Sequence, residues 1–112
     1  MPLAETINQI IPPDIREHFQ SHAEAWKRET RFLSSIDQMV ANPHHEAILR
    51  LGRIAVPLIL EKMEQKPDHW FYALVHLTKQ DPGRPYDSFD KATEAWLKWG
   101  EDQGILIKKD LT

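Results

Sequence analysis

Residues 50–63 read RLGRIAVPLILEKM. This run is the most apolar in the chain and has the composition of a helix, yet Gly52 and Pro57 interrupt it. Inside a helix, proline loses a backbone hydrogen bond and clashes with the carbonyl one turn back. In the first turn its missing N–H has no partner to lose. Glycine, for its part, suits the left-handed position that follows a helix end. The stretch therefore reads as a helix ending at Gly52, a tight turn, and a second helix with Pro57 in its first turn. Val56, Ile59, Leu60 and Met63 form the buried stripe of that second helix.

The same punctuation extends in both directions. Asn42-Pro43 supplies an N-cap and a proline for the first helical position, with Ala47, Ile48 and Leu51 on the inner face. Upstream, residues 1–12 form an N-terminal arm carrying Ile7, Ile10 and Ile11. Asp14 and Glu17 have the spacing of a capping box. Ile15, Phe19, His22, Trp26 and Leu33 recur at helical spacing, as do Phe32, Ile36, Met39 and Val40. Residues 14–41 are one long helix, or two with a kink near Thr30, and Ser34-Ser35 lie mid-pattern.

Downstream, Lys66-Pro67-Asp68 ends one helix, and Asp68 caps the next. Trp70, Leu74 and Leu77 share a stripe there, with Phe71 and Val75 beside it. QDPGRPYDS, residues 80–88, is a loop by composition. Ser88 or Asp87 caps a last helix bearing Phe89, Ala92, Trp96 and Trp99, with Glu94 and Lys98 as an i,i+4 pair. Gly104 ends it, and residues 105–112 form a tail that returns to the core. The expected fold is all-α, a single helical domain over residues 1–112 with five to six helices.

Composition narrows the functional classes. Among 112 residues, 41% are hydrophobic and 28% charged, as in ordinary globular proteins. The net charge of −3 gives no global field that attracts phosphate backbones, and no Lys/Arg cluster longer than a pair stands out. Nucleic acid is therefore disfavoured as a partner. The chain has no cysteine, which excludes disulfides and thiolate zinc sites. No apolar run approaches the roughly 20 residues of a membrane span, and the N-terminus lacks the basic and apolar regions of a signal peptide. The expected location is the cytoplasm.

The stretch ILRLGRIAVPLILEKM resembles the hairpin of a HEAT-type repeat. The resemblance rests on Leu51-Gly52 at the end of one helix and on Ala55-Val56-Pro57, followed by Leu58, Ile59 and Leu60, at the start of the next. HWFYALVHL stands where the first helix of a following repeat belongs. The likeness covers about residues 43–78. The turn after Gly52 is shorter than the usual HEAT linker, and no second copy of the motif is present. PDHWFYAL together with AWLKWG is similar to small bacterial proteins of unassigned function with a HEAT-like core. The resemblance implies a small HEAT-like helical stack that binds a macromolecule by its helix faces. It implies no catalytic residues.

Chemical motifs are few. No GxSxG, Walker loop or GxGxxG occurs, and no cofactor signature is present. Asp14, His18 and His22 are spaced by fours on one helix face, which would suit a metal-dependent enzyme, but no fourth ligand is evident. His44-His45 reads as a solvated helix end. In Asp68-His69-Trp70, capping accounts for the aspartate and packing for the tryptophan, leaving His69. Trp26, Trp70, Trp96 and Trp99 occupy stripe positions and belong to the core. Tyr72 and His76 lie one turn apart off the stripe of their helix. With Arg50 and Arg53 near the hairpin turn, they form a candidate contact patch. The leading expectation is a non-catalytic module, a regulatory or accessory subunit that binds a protein partner. An antitoxin-like neutraliser of an enzyme from a neighbouring gene is one form of it.

Overall fold

The computed structural model describes residues 11–66, 68–84 and 88–106. Among them lie six α-helices and no strand. In chain order these are α1 (Pro13–Thr30), α2 (Ile36–Val40), α3 (Pro43–Arg50), α4 (Ala55–Gln65), α5 (Phe71–Thr78) and α6 (Phe89–Asp102), with a 3₁₀ turn, Gly52–Ile54, between α3 and α4.

The run at 50–63 divides as its glycine and proline dictate. Helix α3 ends at Arg50, and Gly52 takes φ +75°, a conformation that costs glycine little. Pro57 is the third residue of α4, within the first turn. The connection is a single 3₁₀ turn, so the chain redirects without an open loop. Val56, Ile59, Leu60 and Met63 are all buried, and Leu58 joins them.

Capping explains two other boundaries. Asn42 caps α3, its Oδ1 accepting from the His44 N–H at 2.8 Å, and Pro43 follows at the first helical position. Ser88 caps α6, its Oγ accepting from the Lys91 N–H at 3.1 Å. Two expected caps differ. Helix α1 starts at Pro13 with Pro12 as its N-cap, so Asp14 lies inside the first turn and no capping box forms. Its charge there still complements the helix dipole. Asp68 accepts from the His69 N–H at 2.8 Å, which organises the turn before α5 without capping it.

The segment 14–41 is two helices. No proline or glycine separates them. The break follows from side chains that turn back on the backbone. Thr30 Oγ1 donates to the Trp26 carbonyl at 2.7 Å, a local bond that competes with helix continuation. Ser35 takes an extended conformation and its Oγ accepts from the Gln38 N–H, capping α2 rather than lying mid-helix. Trp26 Nε1 then donates to the Met39 carbonyl at 2.7 Å, tying α2 to α1. Of the apolar set Phe32, Ile36, Met39 and Val40, only Met39 is buried. Phe32 is 87% exposed.

Helix α1 packs chiefly against α3, and α4 packs against α6, α5 and α1. All four tryptophans are buried, and the rings of Trp26 and Trp70 meet at 4.6 Å between centroids. Each such side chain removes roughly 150–250 Å² from water, worth about 4–6 kcal/mol before the entropy of ordering it. Gly100 permits the close approach of α6 to α4, since a Cβ there would lie 2.9 Å from the Leu60 and Leu106 methyls. Leu106 is buried, so the tail returns to the core as far as it is described. Residues 107–112, and residues 1–10 of the arm, lie outside the described residues. Lys98 pairs with Asp102 at 3.3 Å rather than with Glu94.

Candidate interaction site

The four residues singled out on α3, the 3₁₀ turn and α5 are all exposed. Helix α5, which carries Tyr72 and His76, packs against both α3 and that turn, which carry Arg50 and Arg53. Tyr72 is 54% exposed despite its size. It lines a groove of about 700 Å³ with Val75, His76, Lys79, Asp81 and Arg84. Arg50 and Arg53 do not line that groove. The Arg50 guanidinium is held by Glu46 on its own helix at 2.8 Å. Lys79 and Arg84 bring cations to the groove instead, and the sequence reading missed both. Lys79 stands at the end of α5 in the left-handed region, φ +60°. Arg84 comes from the loop that follows. Lys79 follows Tyr72 by seven residues, a helical spacing, whereas no period links Arg84 to it.

Behind this face lies a histidine system. His45, expected at a solvated helix end, is fully buried. Its ring is 5.4 Å from that of Trp26 and 6.1 Å from that of Tyr72. Neither of its nitrogens has a hydrogen-bond partner among the described residues. Burial, and secondarily the charge of His76, holds its pKa below the ordinary value of 6.5. The correction has a simple source. The face that α3 turns to α1 runs through His45 and Ile48, so His45 takes a core position although it lies in the first turn.

His44 also reaches α1, at its more exposed edge. Its Nε2 lies 2.9 Å from Glu29 Oε2, and its Nδ1 lies 2.9 Å from His22 Nδ1. Asn42 Nδ2 donates to Glu29 Oε1 at 3.1 Å and fixes the carboxylate. Glu29 stays charged below its usual range, chiefly through the Asn42 bond. Desolvation, then the charges of His18 and His44, lower the pKa of His22. His22 and Glu29 are seven residues apart on α1, a spacing that places them on one helix face and was legible before the structure.

The metal reading of Asp14, His18 and His22 finds no support in this geometry. The rings of His18 and His22 touch edge to face, 4.5 Å between centroids. Asp14 is exposed at the start of α1. Among the described residues, no group of three or more His, Asp or Glu side chains is arranged to hold a metal ion. His69 packs on the Phe89 ring at 5.2 Å, which accounts for its position.

A second concavity, about 450 Å³, lies where the ends of α1 and α4 meet α2. Lys27, Arg28, Arg31 and Lys66 line it, with Leu33 and a single carboxylate, Asp68. Lys27 and Asp68 pair at 3.8 Å. The spacing of Lys27, Arg28 and Arg31 on one helix end was visible in the sequence, while Lys66 joins them only through the fold.

No helix among the described residues is long and apolar enough to cross a membrane. No protein-family model matches the chain, and no similar protein was found among curated proteins or solved structures.

Proposed function

We propose that this chain is a non-catalytic protein-interaction module whose α3–α5 face receives a protein partner. The observation that carries the reading is Tyr72, a large aromatic side chain that is 54% exposed on a short helix. It lines a groove with His76 and Arg84, on a helix that packs against the turn carrying the exposed cation Arg53. Aromatic and arginine side chains dominate binding energy once a partner removes them from water. The HEAT-like reading of residues 43–78 accords with this use of a helix face. A subunit that holds or neutralises an enzyme encoded beside it is one form of the module.

The test is affinity capture from the native cell with the wild-type chain and with a Tyr72→Ala, Arg53→Ala double variant. Loss of a specifically captured protein, at unchanged circular dichroism and melting temperature, supports the proposal. Equal capture by both chains removes this face from consideration.

A further inference from the structure

We infer that the concavity between the ends of α1 and α4 is a second docking surface, and that it takes an acidic, amphipathic segment of another protein. The inference stands independently of the α3–α5 face, because the two surfaces share no residue.

Charge is the first argument. Four cations line the concavity against one carboxylate, in a chain whose net charge is −3. Only Lys27 has a salt-bridge partner there. Arg28, Arg31 and Lys66 make no salt bridge among the described residues. The positive potential is therefore local, carried chiefly by Arg31 and Lys66, since Lys27 pairs with Asp68 and Arg28 acts on the neighbouring Glu29. Cations at a helix C-terminus favour the dipole, which accounts for Lys27 and Arg28 as residues of the last turn of α1.

That account does not reach the apolar side chains beside them. Phe32 is 87% exposed, Ile36 45% and Leu33 36%, three of the four large hydrophobic residues exposed among the described residues. They fall within five consecutive positions. Leu33 lines the concavity, and Phe32 stands between two of its lining residues, Arg31 and Leu33. The Arg31 guanidinium lies 4.7 Å from the centre of the Phe32 ring. Exposed apolar groups gathered this closely mark contact surfaces.

The combination selects the occupant. Carboxylates on one face of a segment meet Arg28, Arg31 and Lys66, while an aromatic or aliphatic anchor on the other meets Phe32, Leu33 and Ile36. Nucleic acid fits less well. Two of the three apolar groups are aliphatic and offer no stacking face, and base stacking is what single strands use. An anionic lipid surface would use the same charges. The concave shape favours a protein segment instead, because a bilayer offers a broad surface rather than a ridge that fits it.

The experiment uses the full chain and a fluorescein-labelled peptide with Glu and Asp on one helical face and Leu and Phe on the other. Anisotropy is read at several salt concentrations. A peptide with Lys in place of the acidic residues, a single-stranded oligodeoxynucleotide, and phosphatidylcholine vesicles with and without phosphatidylserine serve as comparators. The expected result is saturable binding of the acidic peptide that weakens as salt rises. Arg31→Glu with Lys66→Glu, and separately Phe32→Ser, should each weaken it by about tenfold or more. Tyr72→Ala with Arg53→Ala should leave it unchanged. Circular dichroism of every variant checks folding. No binding by wild type would overturn the inference. So would binding indifferent to the groove variants, loss with the α3–α5 variant, or preference for the oligonucleotide or the anionic vesicles.

Discussion

His22 and His44 face each other across the α1–α3 contact with their Nδ1 atoms 2.9 Å apart. One must donate and the other accept. With one proton, on the Nε2 that faces the Glu29 carboxylate at 2.9 Å, His44 accepts at Nδ1 from the His22 N–H. Two imidazoles and one carboxylate thus join the two helices that pack most extensively. Protonation of both rings would leave two donors facing each other and set two positive charges side by side.

The first prediction is therefore a loss of stability in mild acid. The pKa values of His22 and His45 are lowered in the folded chain from 6.5. As pH falls below about 6.5, the unfolded state binds protons that the folded state resists. Stability is then complete above that value and declines with acid until each depressed pKa is passed. Glu29 acts lower, because its lowered pKa makes its contribution present above 4.5 and lost as pH falls beneath that. Urea unfolding at pH 7.5 and 5.5 should show a lower midpoint at 5.5. Equal midpoints would mean that these histidines titrate alike in both states.

Replacing His45 with leucine separates the buried ring from the relay. Among the described residues neither His45 nitrogen has a partner, and an unsatisfied buried polar group costs about 1–3 kcal/mol. His45→Leu should leave the melting temperature at pH 7.5 unchanged or raised, and should narrow the gap between pH 7.5 and 5.5. A loss of more than about 2 kcal/mol at pH 7.5 would show that the imidazole is bonded in the folded protein.

The hairpin region yields two contrasting substitutions. Leu60 is fully buried in the interior of α4, one turn beyond Pro57. Leu60→Pro should cost about 3 kcal/mol or more, from a lost hydrogen bond and a carbonyl clash. A variant that melts like wild type would contradict the placement of Pro57 in a first turn.

Gly52 tests conformation alone. Its φ is +75°, and a Cβ added there meets no atom within 4 Å. Gly52→Ala should cost about 1–2 kcal/mol through backbone strain, with no steric component. No loss in thermal melts would mean that the α3–α4 joint adopts another backbone path.

What the sequence made legible divides along physical lines. Gly52, Pro57, Asn42 and Ser88 announce helix boundaries because their effects are local to the backbone. The four tryptophans read correctly as core because size and helical period agree. A kink near Thr30 was one of two readings of residues 14–41, and the local bonds of Thr30 and Ser35 decide for it, with no proline or glycine to announce it. Phe32 and Ile36 keep a helical period yet stay exposed, so period alone overstated the core. His45 reversed its expected exposure because α1 covers the face of α3 that carries it. The exposure of Arg50, Arg53, Tyr72 and His76 was legible from their off-stripe positions, and Lys79 keeps a helical spacing with Tyr72, but Arg84 reaches the groove from a loop that no period reveals.

The interaction role of the α3–α5 face is tested most directly by crosslinking at Tyr72 inside the native cell. The residue is replaced by the photoreactive phenylalanine analogue benzoyl-phenylalanine, with the same analogue at the exposed Lys91 of α6 as a control. The account predicts one discrete, light-dependent crosslinked species from position 72 and none of that size from position 91. Adding Arg53→Ala should diminish it by about tenfold while the melting temperature is unchanged. Position 72 giving no species, or the same species as position 91, would contradict the claim that this face receives a partner.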